Sequence, residues 1–245
     1  MGTSAIEAVI FDWGGTLTAW HDIDFHAESL ALAHAVVAVE ASPAEHAEHV
    51  RAQHAARLHA AGSTVWGWSR DDQRSATVAD LFDQAGLQHD PELLTAYYDF
   101  WEPHTLTDPQ VGELWTELRA RDIKVGVLSN TIWPRTWHEG FFRRDGVLDL
   151  IDGDVYSSEI PWTKPSPQAF AAAMAAVGVA DPARCVYVGD RLYDDVWGAQ
   201  NAGLRAIHIP HSVIPQEQVG HSEGVPDGVA HDLRDILGIV DAFGR

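Results

Sequence analysis

The stretch Val9-Ile10-Phe11-Asp12-Trp13-Gly14-Gly15-Thr16-Leu17-Thr18 narrows the choice of fold more than any other. It begins as a run of apolar, partly β-branched residues, which predicts a buried strand. The run breaks off at a carboxylate followed closely by two glycines. In an open α/β sheet, ligands bind beyond the carboxyl ends of the strands, and Asp12 is expected at such an end. Gly14 and Gly15 have no Cβ, so the backbone there can turn sharply and approach a bound anion.

At 245 residues, 46% of them hydrophobic, the chain can bury a large core and carry a sizeable insertion. Lys+Arg 16 against Asp+Glu 36 gives a formal net charge of -20. Such a field repels nucleic acid and anionic membranes, so an anionic substrate needs a local positive site or a metal to hold it. Cys185 is the sole cysteine, which excludes an intrachain disulfide and a cysteine-rich zinc site and reads as a core thiol. No segment approaches the run of about 18 apolar residues that spans a membrane. Met1-Gly2-Thr3-Ser4-Ala5-Ile6 lacks the features of a signal peptide or a myristoylation site. The expectation is a cytoplasmic protein, monomeric or homodimeric, acting on a small molecule.

From about Trp20 to Pro103 the chain is rich in alanine and histidine and shows only helical punctuation. A first helix is expected over Phe25 to Val39. Ser42-Pro43-Ala44-Glu45 reads as a capping box opening a second, with Gly62 closing it. A third is expected from Asp71 to Ala85, ended by Gly86, and a fourth after Asp90-Pro91. Strand and helix then alternate. Thr107-Asp108-Pro109 opens a helix to Arg121, and Ile123 to Leu128 is a strand ending at Ser129-Asn130. Gly153 to Ser158 is another strand, and Ser166-Pro167 caps a helix to Val177. Cys185 to Val188 is a strand ending at Gly189-Asp190, followed by a helix from Asp194 to Ala202. Arg205 to Ile209 is the last strand and Asp232 to Val240 the last helix, with His211 to Gly228 a loop. This order predicts an α/β fold with a doubly wound, Rossmann-like parallel sheet, formed by 1–19 and 104–245, and a helical cap domain at 20–103.

Four stretches fall at predicted strand ends: Asp12; Leu128-Ser129-Asn130; Thr163-Lys164-Pro165-Ser166-Pro167; and Gly189-Asp190-Arg191-Leu192-Tyr193-Asp194-Asp195. In type and order they resemble the four motifs of the haloacid dehalogenase superfamily, and the resemblance covers nearly the whole α/β core. It implies a Mg2+-dependent hydrolase, in particular a phosphatase acting on a small phosphorylated metabolite. Phosphoryl transfer rests on positioning and on electrostatic stabilisation of spread negative charge, which suits these residue types. Asp12 is implied as the nucleophile that forms an aspartyl-phosphate. Gly15, Ser129 and Asn130 are implied at the phosphoryl oxygens, and Lys164 neutralises charge on both nucleophile and phosphoryl group. Asp12, the Gly14 carbonyl and Asp190, with Asp194 or Asp195, are the implied Mg2+ ligands, oxygen donors that suit a hard cation.

One position departs from the family pattern. Gly14 stands where family phosphatases carry a second aspartate, the general acid and base. Its loss removes a contribution of roughly 10²–10⁴-fold, which favours aryl, acyl or other good leaving groups. A phosphate-binding regulatory protein without turnover is the alternative. Phosphonoacetaldehyde hydrolases resemble the first motif but need a cap lysine, and 20–103 contains none. The dehalogenases fit less well, having tyrosine at this position and lacking the Gly-Asp pair. His21, Asp22 and Asp24 are candidates for a substitute acid or base, although the aspartates also suit a helix cap. Seven of the 14 histidines lie between His21 and His59. His46 and His49, at helical spacing, read as a solvated face rather than a metal site. Trp13, Trp133 and Trp162 are expected at the pocket mouth or in core-to-cap packing.

Overall fold

The computed structural model describes residues 5–21, 23–39, 44–214 and 220–244. Its centre is a six-stranded sheet in the order β3-β2-β1-β4-β5-β6, every pairing parallel. The strands are β1 (Ala8–Phe11), β2 (Lys124–Ser129), β3 (Gly153–Tyr156), β4 (Cys185–Gly189), β5 (Arg205–His208) and β6 (Gly228–Val229). β1 is buried on both faces, as expected of an interior parallel strand covered by helices on both sides. Val9, Phe11, Val125, Val127, Val186 and Val188 pack into one hydrophobic cluster. Their alternates Ala8, Ile10, Leu128, Cys185 and Tyr187 pack into the other. Cys185 is thus a core thiol, and burial pushes its pKa up to about 11.

Helices α1 (Phe25–Val39), α2 (Ala44–Asp72), α3 (Val78–Ala85) and α4 (Pro91–Trp101) follow β1 as one uninterrupted helical insertion. The capping box expected at Ser42 lies outside the described residues. Gly62 does not close α2, which continues to Asp72. A glycine inside a helix costs about 1 kcal/mol relative to alanine. Burial of Leu58, Ala61 and Val65 on one face of the helix more than offsets that cost. The third helix starts at Val78 rather than Asp71. Thr77 accepts from the Asp80 amide while the Asp80 carboxylate accepts from the Thr77 amide, a reciprocal cap that defines this start. Gly86 ends it in the left-handed conformation, as expected.

In the core, α5 (Val111–Ala120) starts two residues past Pro109, because Asp108 holds a turn by accepting from the Gln110 amide at 2.8 Å. α6 (Arg135–Arg144), between β2 and β3, has no counterpart in the sequence expectations; it buries His138, Phe141 and Phe142. α7 (Pro167–Ala176) has proline at its first turn, but the Ser166 hydroxyl bonds Gln168 instead of capping the backbone. After β4 the chain makes a π-helical turn at Leu192–Trp197 and then the short α8 (Gly198–Asn201). α9 (Asp235–Phe243) starts three residues later than expected, with Asp232 accepting from the Arg234 amide ahead of it. The two-residue β6 lies at the end of the stretch expected as loop. Among the described residues, no helix is long and apolar enough to cross a membrane.

Candidate active site

The register of the sheet puts three motifs side by side. Phe11 pairs with Val127 of β2 and with Val188 of β4. Asp12 therefore leaves the central strand between Ser129, two residues beyond Val127, and Asp190, two residues beyond Val188. The chain adds β2 and β3 on one side of β1 and β4 to β6 on the other. The carboxyl end of β1 is thus the point where strand order reverses and a crevice opens.

Lys164 enters this crevice from the loop before α7. Its buried ammonium donates to Asp12 Oδ1 at 2.6 Å, Asp195 Oδ1 at 2.7 Å and the Tyr187 hydroxyl at 2.9 Å, which uses all three protons. Tyr187 in turn donates to the Leu128 carbonyl at 2.9 Å. The Asn130 side chain accepts from the Lys164 amide at 2.8 Å and donates to the Lys164 carbonyl at 3.0 Å. Asn130 therefore braces the lysine-bearing loop through both ends of its amide. Burial alone lowers a lysine pKa, but Asp12 and Asp195 together hold Lys164 above its usual value.

Asp12, Asp190 and Asp195 are all buried, and one oxygen from each lies within 4.8 Å of the others. Both Asp195 oxygens are used, one by Lys164 and the other by the Arg191 amide at 2.8 Å. Both Asp190 oxygens are buried without a hydrogen-bond partner. Burial raises the Asp190 pKa well above the carboxylate range; Arg191 opposes this, and Asp12 and Asp195 add to it. Burial pushes Asp12 up to about 6 against the pull of Lys164. Three carboxylates around one ammonium, with two orphaned oxygens, form a donor set short of positive charge. A hard divalent cation meets that deficit, so the residues fit Mg2+.

The glycines play different parts. Gly14 lines the cavity above Asp12. No hydrogen bond among the described residues takes its carbonyl, and a Cβ built on it would lie 3.6 Å from Trp20 Cζ2, an ordinary contact. Gly15 does not line the cavity. Its amide donates to the Thr18 carbonyl, and its own carbonyl accepts from His211 and Ser212. Gly15 has φ +87°, and a Cβ there would overlap the Asp190 carboxylate. Gly15→Ala is accordingly expected to destabilise the protein by about 2–4 kcal/mol in urea unfolding, from backbone strain plus overpacking.

Above the carboxylates lies a cavity of about 280 Å³, lined by Asp12, Ser129 and Lys164 below and by residues of α1, α2 and α4 above. Trp13 and Trp133 line it, as do Trp20, Trp66 and Trp101. Trp162 does not; it is 40% exposed and pairs through its backbone with Arg74. Asp194 lines the cavity but stands outside the cluster of three, and burial with the nearby Asp195 pushes it up to about 6. His21 is exposed and pairs with His104 at 2.6 Å, and of the two only His104 lines the cavity. Asp24 caps α1 by accepting from the His26 and Ala27 amides, while Asp22 and the His46 side chain lie outside the described residues. His49 bonds Gln53 on an exposed helix face.

Sequence reasoning passed over four groups that shape this site: Tyr187, Arg191, Trp20 and Glu28. Arg191 directly follows Asp190 in the fourth motif, which was its available signal. Glu28 carried none. It lies in the first turn of α1, where an acidic residue ordinarily faces solvent. Here it lines the cavity and accepts from Trp101 Nε1 at 2.8 Å.

The family model for haloacid dehalogenase-like hydrolases matches residues 6–203. The chain is 29% identical over 169 residues to the glyceraldehyde 3-phosphate phosphatase of Methanopyrus kandleri, covering 67% of this chain and 71% of that protein. It is 30% identical over 129 residues to the phosphoserine phosphatase of Thermus thermophilus, covering 53% of this chain and 49% of that protein. The chain thus spans about half the length of the second relative. In three dimensions it is similar to a HAD phosphatase from Thermococcus onnurineus, with a TM-score of 0.62, 20% identity, and coverage of 96% of this chain and 98% of that one.

Proposed function

The chain belongs to the haloacid dehalogenase-like hydrolases, and on that footing we propose that it is a Mg2+-dependent phosphatase of a small phosphorylated metabolite. The observation that carries this reading is the buried set of Asp12, Asp190 and Asp195 around Lys164, opening into a cavity beneath the helical insertion.

In this reading an Asp12 carboxylate oxygen attacks phosphorus. The new oxygen–phosphorus bond forms as the bond to the ester oxygen breaks, leaving an aspartyl-phosphate and the departing oxyanion, which takes its proton from solvent. Water then attacks the same phosphorus, releasing inorganic phosphate and restoring Asp12. Lys164 keeps the nucleophile ionised and aligned, and its charge offsets that of the phosphoryl oxygens. Ser129 faces those oxygens from the end of β2. Asn130 positions Lys164 through the loop backbone. Asp12, Asp190 and the Gly14 carbonyl would hold Mg2+, with Asp195 rather than Asp194 as the further carboxylate of the set. The bound ion supplies charge neutralisation for the phosphoryl group. Asp195 also fixes Lys164 and the Arg191 amide, so it orders both sides of the site.

Gly14 offers no proton to the departing oxygen and no base to the incoming water. Leaving groups that depart as stable anions therefore react fastest. The insertion over 20–103 acts as a cap that covers the crevice, shapes the leaving-group pocket and limits access of water.

The test is hydrolysis of para-nitrophenyl phosphate with Mg2+ and with EDTA. Turnover with Mg2+ that EDTA removes and added Mg2+ restores is the expected result. Absence of turnover in saturating Mg2+, or turnover indifferent to EDTA, overturns the proposal.

A further inference from the structure

Besides the phosphoryl site, the cavity is lined by a group that phosphate chemistry does not use. Glu28 presents a carboxylate to it, held by the Trp101 indole N–H at 2.8 Å. No basic side chain pairs with Glu28 among the described residues. The insertion supplies no lysine, and none of its arginines lines the cavity. The two basic groups that do line it besides histidine are Lys164, bonded to Asp12, and Arg191, adjacent in sequence to Asp190. Both belong to the phosphoryl end. The walls near Glu28 are aromatic: Phe25 and Trp133 flank Trp101 at centroid distances of 6.1 and 5.2 Å, and Tyr97 also lines the cavity beside it.

A carboxylate without a cation, set among aromatic faces, is the chemical complement of an alkylammonium. The ring quadrupoles attract the cation, and the carboxylate neutralises it. An apolar ligand offers the ionised Glu28 no compensation and favours its protonated form instead. Burial already pushes the Glu28 carboxyl up to about 7, against the hydrogen bonds of Trp101 and Tyr97. In the ligand-free protein the charged form of Glu28 therefore comes at a net cost that a bound cation would offset, a pattern found at functional sites.

We propose that the leaving-group pocket recognises an ammonium group through Glu28 and its aromatic surround, so that the substrate is a phosphate ester whose leaving group carries an ammonium. This rests on the phosphatase reading for the chemistry but not for the cation site. Phosphate lies toward Lys164 and ammonium toward Glu28, which orients a zwitterionic ester in one direction.

The test compares phosphocholine with its uncharged isostere 3,3-dimethylbutyl phosphate, in wild type and in Glu28→Gln. In wild type, kcat/KM is expected to favour the cationic ester by about 30-fold, the scale of a charge-assisted contact with aromatic support. In Glu28→Gln the preference is expected to fall within about threefold of unity. Choline binding, followed by quenching of tryptophan fluorescence, reads the same site without turnover and is expected to weaken about tenfold or more in the variant. The Glu28 pKa is higher folded than in a free chain (4.5), so its contribution to stability is greatest below about 4.5 and declines as pH rises towards about 7. Glu28→Gln should then melt no lower than wild type at pH 8, which separates a binding defect from unfolding. Choline binding equal in the two proteins, or equal wild-type use of both esters, overturns the cation site. Choline binding lost in the variant, with no wild-type turnover of any phosphate ester, overturns the phosphatase reading alone.

Discussion

Asp12→Asn is expected to lower Mg2+-dependent hydrolysis by roughly 10⁴-fold or more, because in the proposed mechanism it removes the atom that attacks phosphorus. The amide is isosteric with the carboxylate but is not a nucleophile at phosphorus. The fold should survive the change. Lys164 keeps Asp195 and the Tyr187 hydroxyl as partners, and one of three crowded carboxylates becomes neutral. The Asp12 pKa, about 6 in the folded protein against 3.8 for an ordinary aspartate, gives the sign. A raised carboxyl pKa means that the folded state binds the proton more tightly. Ionising Asp12 therefore costs stability as pH climbs between those values. At pH 8 in EDTA, Asp12→Asn should melt at or above the wild-type temperature. Loss of turnover together with a lower melting temperature would point to misfolding and withdraw support from the nucleophile assignment. Retained turnover would remove Asp12 from that role.

Gly14→Asp is the second large effect, and it is a gain. The position has room: the built Cβ meets only Trp20 at 3.6 Å, and the backbone φ is not in the left-handed region. A carboxyl there faces the cavity and can give a proton to the departing oxygen, then take one from the attacking water. General acid–base catalysis of this kind contributes roughly 10²–10⁴-fold. The expected result is a rise of about 10²-fold or more in kcat for alkyl phosphates, with a much smaller change for para-nitrophenyl phosphate. The ratio of alkyl to aryl rates is the quantity to measure, because it cancels changes in Mg2+ affinity from the added charge. An unchanged ratio would show that protonation of the leaving group does not limit the wild-type enzyme.

The motif residues were legible because their positions follow from local rules. Apolar runs ending in Asp12, Ser129 and Gly189-Asp190 mark strand ends, and a parallel sheet gathers its strand ends along one edge. Lys164 stood out as one of only two lysines, in a Lys-Pro-Ser-Pro turn. Helix boundaries were less legible where side chains decided them. Thr77 and Asp80 start α3 through a reciprocal cap, and packing of Leu58 and Val65 carries α2 through Gly62. α6 was not legible because Arg-Thr-Trp-His-Glu-Gly-Phe-Phe-Arg-Arg is strongly polar, and its helical stripe is aromatic and short.

The sequence by itself determined the α/β order of elements, the all-helical insertion and the kinds of residue at the strand ends, since periodicity, caps and turns act over a few residues. Only the tertiary structure separated Asp195 from Asp194. The two are neighbours on one π-helical turn, yet one is sealed against Lys164 and the other lines the cavity. Tertiary structure also turned Glu28 from an ordinary first-turn glutamate into a cavity carboxylate, by bringing Trp101 to it from 73 residues away. Lys164 reaches Asp12 across 152 residues. Burial and charge pairing arise from such distant neighbours, and no local pattern in the chain encodes which of them will meet.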